Sequence, residues 1–211
     1  MKKKNFCVNV CKVDFIGMRC KVINYGLIKG GIFLITMVLA FYIHEAVKVM
    51  VANFYSMNNF KNKINIKKFI EPVGLILMVM FGVGWVNPTD INMLYLKNRN
   101  ENRLKIYFLA IVANFILGMG IYYGMKFISI PNETIVLILF FFARSNMIVA
   151  IINFLPMYPM SGYQILMGKA SPDLKFKLVN YNYVIVAISA LLIFFGAITA
   201  LTNFIIGVLW W

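Results

Sequence analysis

Charge is what this sequence has least of. Only 13% of its 211 residues are charged, whereas 62% are hydrophobic and the mean hydropathy is +0.80, and an ordinary soluble domain carries about a quarter charged residues. That balance excludes a soluble globular protein and leaves a polytopic protein of the cell membrane. Acidic residues are scarcer still, with 7 Asp and Glu against 21 Lys and Arg, for a net charge of +14. The basic residues are spread over every polar segment and no nucleic-acid-binding motif accompanies them, so membrane lipid headgroups are the expected counter-charge and nucleic acid is not an expected partner. Cysteine is confined to Cys7, Cys11 and Cys20, an odd number whose spacing fits no zinc finger, so these read as free thiols. No apolar core or small-residue cleavage site interrupts the basic residues of positions 1–26, so no cleavable signal peptide is expected and the N-terminus is expected to be retained. Internal repeats and low-complexity tracts are missing too.

What is present is a series of apolar segments. Runs long enough to cross a hydrocarbon core, which takes about 20 residues, lie near 31–55, 104–128, 133–156 and 181–210. A fifth, Glu71 to Val86, is short for a crossing. Asn58 to Phe69 alternates polar residues with Ile64 and Ile66, a period of two that predicts a short interfacial strand. The expected organisation is a basic segment 1–26 followed by one membrane domain, 27–211.

Topology can be argued two ways. Five full spans satisfy the positive-inside bias for most loops but leave Lys61, Lys63, Lys67 and Lys68 outside. Treating 71–86 as re-entrant or embedded brings that lysine cluster onto the side of the next loop, and puts the basic N-terminus on the other side.

Two stretches carry chemistry. In FYIHEAVKVMVANF, Phe41 to Phe54, three ionisable residues sit inside an apolar helix, where each is costly unless paired or functional. His44 and Lys48 are i,i+4 and Glu45 and Lys48 are i,i+3, so all three share one face. Glu45 and Lys48 can neutralise each other, with His44 hydrogen-bonded to a neighbouring helix. In INFLPMYPMSGYQIL, Ile152 to Leu166, Pro156 and Pro159 forbid a regular helix, and irregular backbone at membrane depth requires protein or water to satisfy it. Arg144, inside an apolar run, is expected to face the interior with a partner such as Glu133 or Glu71.

Taken in order, these stretches and three shorter ones resemble the site-2 protease family of intramembrane zinc metalloproteases, in its small bacterial branch. The residues that carry the resemblance are His44-Glu45-x-x-Lys48, Glu71-Pro72-x-Gly74, Gly84-Trp85 to Pro88, Ala113-Asn114, and Asn153-x-x-Pro156-x-x-Pro159-x-Ser161-Gly162. It covers about 31–168, with 181–210 as an extra C-terminal helix. The family pattern has His-Glu-x-x-His on its first core helix and a later Asp-Gly, and the two histidines and the aspartate hold zinc while the glutamate activates its water. Here the resemblance makes His44 the retained metal ligand and Glu45 the family's general base. Lys48 stands at the second histidine and Ser161 at the aspartate. Asn114, Asn153, Pro156, Pro159 and Gly162 match framework positions.

Catalytic zinc needs about three ligands from His, Cys, Asp or Glu, and one imidazole does not supply them. A protonated Lys48 would also balance Glu45 without a metal. The resemblance therefore implies a helical core of four transmembrane helices plus one embedded segment, no cofactor, and an inactive relative that binds a client transmembrane helix or regulates an active paralogue. The alternative is an active intramembrane metalloprotease whose site is rearranged, with ligands such as Asp90 or Asn153 beside His44. A Ser161 hydroxyl activated by Lys48 is a third chemistry. Convergence of Lys48 and Ser161 requires their helices to run parallel, which favours the embedded reading of 71–86 over five spans.

Overall fold

The computed structural model describes residues 26–128 and 130–210, the side chains of 27, 67 and 208–210 excepted. The expectations for positions 1–25, including the three cysteines, lie outside the described residues. The described chain is all-helical. Three long helices dominate: α1 (Gly26–Phe54), α4 (Arg99–Phe127) and α5 (Glu133–Phe154). At 1.5 Å per residue the shortest, with 22 residues, reaches about 33 Å, enough for a hydrocarbon core of about 30 Å. Between them lie α2 (Ile66–Phe69) and α3 (Pro72–Phe81), and after them α6 (Ser161–Lys169), α7 (Pro172–Asn180), α8 (Asn182–Phe194) and α9 (Ala197–Trp210).

Local chemistry sets the boundaries. The Asn132 carboxamide accepts the Thr134 and Ile135 amides at 2.9 and 3.2 Å to open α5. The helix stops at Leu155, held in extended conformation, because the following Pro156 disfavours a helical residue before it. At α3 the Glu71 carboxylate accepts the Gly74 amide at 3.0 Å and Pro72 takes the first helical position.

Relative directions follow from pairs along the helices. Phe33 meets Phe141 with ring centroids 5.9 Å apart, and Thr36 Oγ1 lies 3.1 Å from Ser145 Oγ. Farther along, His44 reaches Ser161, just beyond the end of α5, so α1 and α5 run parallel. Between them α4 runs opposite to α1: Asn114 donates to the Ala40 carbonyl, whereas the earlier Tyr107 faces the later Lys48. The core lies in this bundle, where Met37, Phe41, Phe141, Ile148 and Ile152 are buried.

The parallel arrangement is reached because 71–86 folds back. Helix α3 has ten residues and ends at Gly82, after which the chain returns alongside it. Asn87 then donates its backbone amide to the Phe69 carbonyl at 3.0 Å and its side-chain amide to the Lys68 carbonyl at 2.8 Å, so the segment leaves where it entered. The returning segment hugs the helix because Gly84 abuts the Gly74 carbonyl, where a side chain would collide with backbone.

Two expectations are corrected. Asn58 to Phe69 is not a strand: Ile66–Phe69 is a single helical turn, and only the isolated bridge Ser56–Leu96 is formed nearby. The preceding backbone finds side chains instead of a partner strand, since Asn53 Oδ1 accepts the Asn62 amide at 2.7 Å and Asn53 Nδ2 donates to the Asn62 carbonyl at 3.1 Å. The C-terminal region is likewise not one helix over 181–210. It breaks between α8 and α9 at Gly196, which adopts φ 71°, a left-handed conformation that ends a helix and that glycine enters without steric cost. Among the described residues three helices are long and apolar enough to cross a membrane, or four if α7 and α8, bent by 60°, form one span.

Candidate functional site

The second half of α1 presents His44, Glu45 and Lys48 to α4, to the start of α6 and to the loop at Thr89, all three of them buried. The packing is possible because α1 is apolar around them and the polar partners come from neighbouring helices. Glu45 and Lys48 form the expected pair, with Oε1 and Nζ 2.6 Å apart and both side chains almost wholly buried. The other carboxylate oxygen, Oε2, accepts the backbone amide of Thr89 at 2.7 Å, tying α1 to the chain that leaves the α3 hairpin. Lys48 Nζ also sits 5.4 Å from the centre of the Tyr107 ring on α4, within range of a cation–π attraction.

His44 is held at both nitrogens. Asn114 spends its Nδ2 on the Ala40 carbonyl at 3.0 Å and on Asn146 Oδ1 at 2.9 Å. Its Oδ1 therefore faces His44 Nδ1, 3.2 Å away, and being an acceptor it requires Nδ1 to carry the proton. His44 Nε2 is then an acceptor, and the Ser161 hydroxyl donates a hydrogen bond to it at 2.8 Å. The lone pair through which an imidazole would bind metal is thus directed at Ser161.

Ser161 is the first residue of α6. Its amide donates to Asn153 Oδ1 at 3.4 Å, and Asn153 Nδ2 donates to the Val149 carbonyl at 3.0 Å. Pro156 and Pro159 lie in the loop joining α5 to α6. Gly162 lets α6 start directly against the end of α5, because a Cβ there would strike the Phe154 and Leu155 carbonyls.

The residues singled out by sequence therefore converge, with different pairings for some. Ser161 bonds to His44, not Lys48, whose ammonium is on Glu45, so the Ser161–Lys48 dyad is not formed. Asn153 is engaged with backbone, and Asp90 lies exposed in the loop. Arg144 is buried as expected. Of its suggested partners, Glu133 is exposed and about 16 Å back along the same helix, and the Glu71 carboxylate caps Gly74. Sequence reasoning missed Thr89, Tyr107 and Asn146. Thr89 contributes only backbone and had no signal, whereas Asn146, a buried polar residue in an apolar run, was detectable by the rule that flagged Arg144.

No protein-family model matches the chain, and no solved structure matches it. A protein of Bacillus subtilis named "Putative zinc metalloprotease YwhC" is 24% identical over 166 residues, covering 72% of this chain and 76% of that protein. This similarity fits a site-2 protease-like family, and together with the long apolar helices it fits a multi-pass membrane protein. It also corrects the expectation of no cofactor, because the relative's name points to zinc. The described residues do not by themselves make a zinc site: no three His, Cys, Asp or Glu side chains cluster among them, and around His44 stand the Ser161 hydroxyl, the Asn114 carboxamide and the Glu45–Lys48 ion pair.

Proposed function

We propose that this chain is a site-2 protease-like membrane protein that binds a transmembrane partner in its helical core without cleaving it. One observation carries this reading. Both oxygens of Glu45 are engaged, one by Lys48 and one by the Thr89 amide, so the residue at the position of the family's general base is committed as the counter-ion of a buried ammonium. Lys48 in turn sets a positive charge where the family resemblance expects a ligand. The fold-back of 71–86 and the parallel α1 and α5 support a retained scaffold, on which client binding requires no chemistry.

The relative's name favours a second reading, an intramembrane zinc protease with a rearranged site. It needs ligands besides His44 and a movement that frees Glu45. The two separate in liposomes containing the purified chain and a single-span reporter helix with a photo-crosslinker, with zinc supplied. Crosslinking of the intact reporter without cleavage products supports the binding reading. Zinc-dependent cleavage that is lost in Glu45→Gln establishes the second.

A further inference from the structure

Charge is placed unevenly along the bundle. Helices α1 and α5 end, and α4 begins, at the same end of it, and the fold gathers there three basic segments that are far apart in sequence. The Asn92 amide donates to Asn62 Oδ1 at 2.9 Å and the Lys97 amide to the Tyr55 carbonyl at 3.1 Å, which ties the loop of Lys61 and Lys63 and the end of α1 to the segment of Lys97. Lys68 is fixed beside them by Asn87. On the other flank, a Cβ at Gly168 of α6 would lie 3.4 Å from the Asn100 carbonyl, so Lys169 comes to the start of α4, where Arg99 stands. All six of these basic side chains are exposed, and none is in an ion pair among the described residues. Exposed apolar residues, Ile66, Ile70 and Leu94, are interleaved with them. At the opposite end the described charges are only Lys29, Lys126 and Glu133.

Helix α7 belongs to the same end, because it follows α6 directly and the residue after its last turn, Asn182, accepts the Tyr158 amide at 3.3 Å. Its sides differ. Leu178 is buried against the protein, Phe176 and Val179 share an exposed apolar side, and Asp173, Lys177 and Asn180 share an exposed polar side, with Asp173 Oδ2 3.3 Å from Lys177 Nζ. Hydrocarbon solvates the apolar side and water the polar one, and a helix satisfies both by lying at the boundary between them. We infer that this end of the protein is a docking surface for anionic phospholipid, with α7 lying in the headgroup layer and the exposed lysines and Arg99 receiving lipid phosphates. Each Lys or Arg near an anionic leaflet is worth about a fivefold preference for it. An acidic soluble partner would satisfy the charges but leave Ile66, Ile70, Leu94 and Phe176 in water, whereas a lipid surface receives both kinds of side chain. The inference rests on the multi-pass membrane reading and is independent of partner binding.

The test reconstitutes the purified full chain in phosphatidylcholine bilayers that contain, at equal mole fraction, either photoactivatable phosphatidylglycerol or photoactivatable phosphatidylcholine, and maps the crosslinked peptides by mass spectrometry. The expected result is crosslinking of α7 and of the 94–100 segment at least about fivefold stronger with phosphatidylglycerol, an excess that falls toward parity in about 1 M salt, where screening acts within about 3 Å. Both lipids should reach Phe176 and Val179. The triple variant Lys97→Gln, Arg99→Gln, Lys169→Gln should bring the excess close to parity. Arg99→Lys with Lys169→Arg, which keeps both charges, should preserve it, and so should Lys29→Gln with Lys126→Gln at the opposite end. Crosslinks to the exposed Phe115 and Ile116 of α4, equal for the two lipids, report that each variant is folded. Equal crosslinking of both lipids in the parent, an excess that survives the triple variant or high salt, or no lipid on Phe176 and Val179 would each overturn the inference. So would polyglutamate removing the excess at an ionic strength at which sodium chloride does not, which assigns the surface to an acidic soluble partner. Reporter crosslinking that persists without any lipid preference removes the docking surface and leaves the partner-binding reading standing. Lipid preference without reporter crosslinking does the reverse.

Discussion

Replacing Glu45 by glutamine leaves the size of the side chain unchanged and removes one charge from a pair that is 2.6 Å apart and nearly inaccessible. The glutamine oxygen can still accept the Thr89 amide, so the change isolates the charge. Breaking a buried pair by removing one partner costs about 3–5 kcal/mol, because the survivor is left as an uncompensated buried ion. The Tyr107 ring at 5.4 Å offsets up to about 2 kcal/mol of that for Lys48. A net loss of about 1–5 kcal/mol is expected, and at about 2–4 °C per kcal/mol for a chain of this size the midpoint should fall by about 2–20 °C. Lys48→Met should cost about 3–5 kcal/mol, since Glu45 then keeps only the Thr89 amide. The double variant Glu45→Gln with Lys48→Met carries no buried charge and should lose clearly less than the sum of the two single losses, because neither charge is left without its counter-ion. The assay is unfolding in detergent micelles followed by circular dichroism for all four proteins. Unchanged midpoints in both single variants, or losses that simply add in the double variant, would refute the pairing as the organising feature of the site.

Two further outcomes follow from the same geometry. Lys48→His combined with Ser161→Asp places two imidazoles and a carboxylate around one point, so zinc affinity measured by competition with a chromogenic chelator should exceed that of either single variant by more than the roughly 10–100-fold that a supporting residue is worth. No gain in the folded double variant would mean that positions 44, 48 and 161 do not share a metal-sized space. Gly84→Ala would drive a methyl group into the Gly74 carbonyl and Met78, so it should cost about 1–3 kcal/mol or more by overpacking and expose the 60–92 region to limited proteolysis. An unaltered cleavage pattern and midpoint would show that the hairpin is not closed at that contact.

Composition and periodicity were enough to determine the three long helices apolar enough to cross a membrane, because a bilayer imposes a length and an apolarity that can be counted residue by residue. The Glu45–Lys48 pair was legible for a similar reason: i,i+3 spacing on one helix is local geometry, and a lone charge in an apolar run needs a partner. The single helix expected at 181–210 failed because one glycine, Gly196, turns left-handed inside an otherwise uniform apolar run, and hydropathy has no term for that. The strand expected at Asn58 to Phe69 failed because alternation marks a half-buried surface, not a neighbour; the neighbour here is the Asn53 side chain. Charge counting left the direction of α5 relative to α1 open and only the family resemblance favoured parallel; what sets it, Gly84 against Gly74 and Asn87 against Lys68 and Phe69, are contacts between segments whose meeting depends on the whole fold. Tertiary structure also decided the partners of His44 and Ser161, which are 117 positions apart. Sequence can name donors and acceptors, but which of them meet, and which tautomer results, is set by three helices packing around one buried ring.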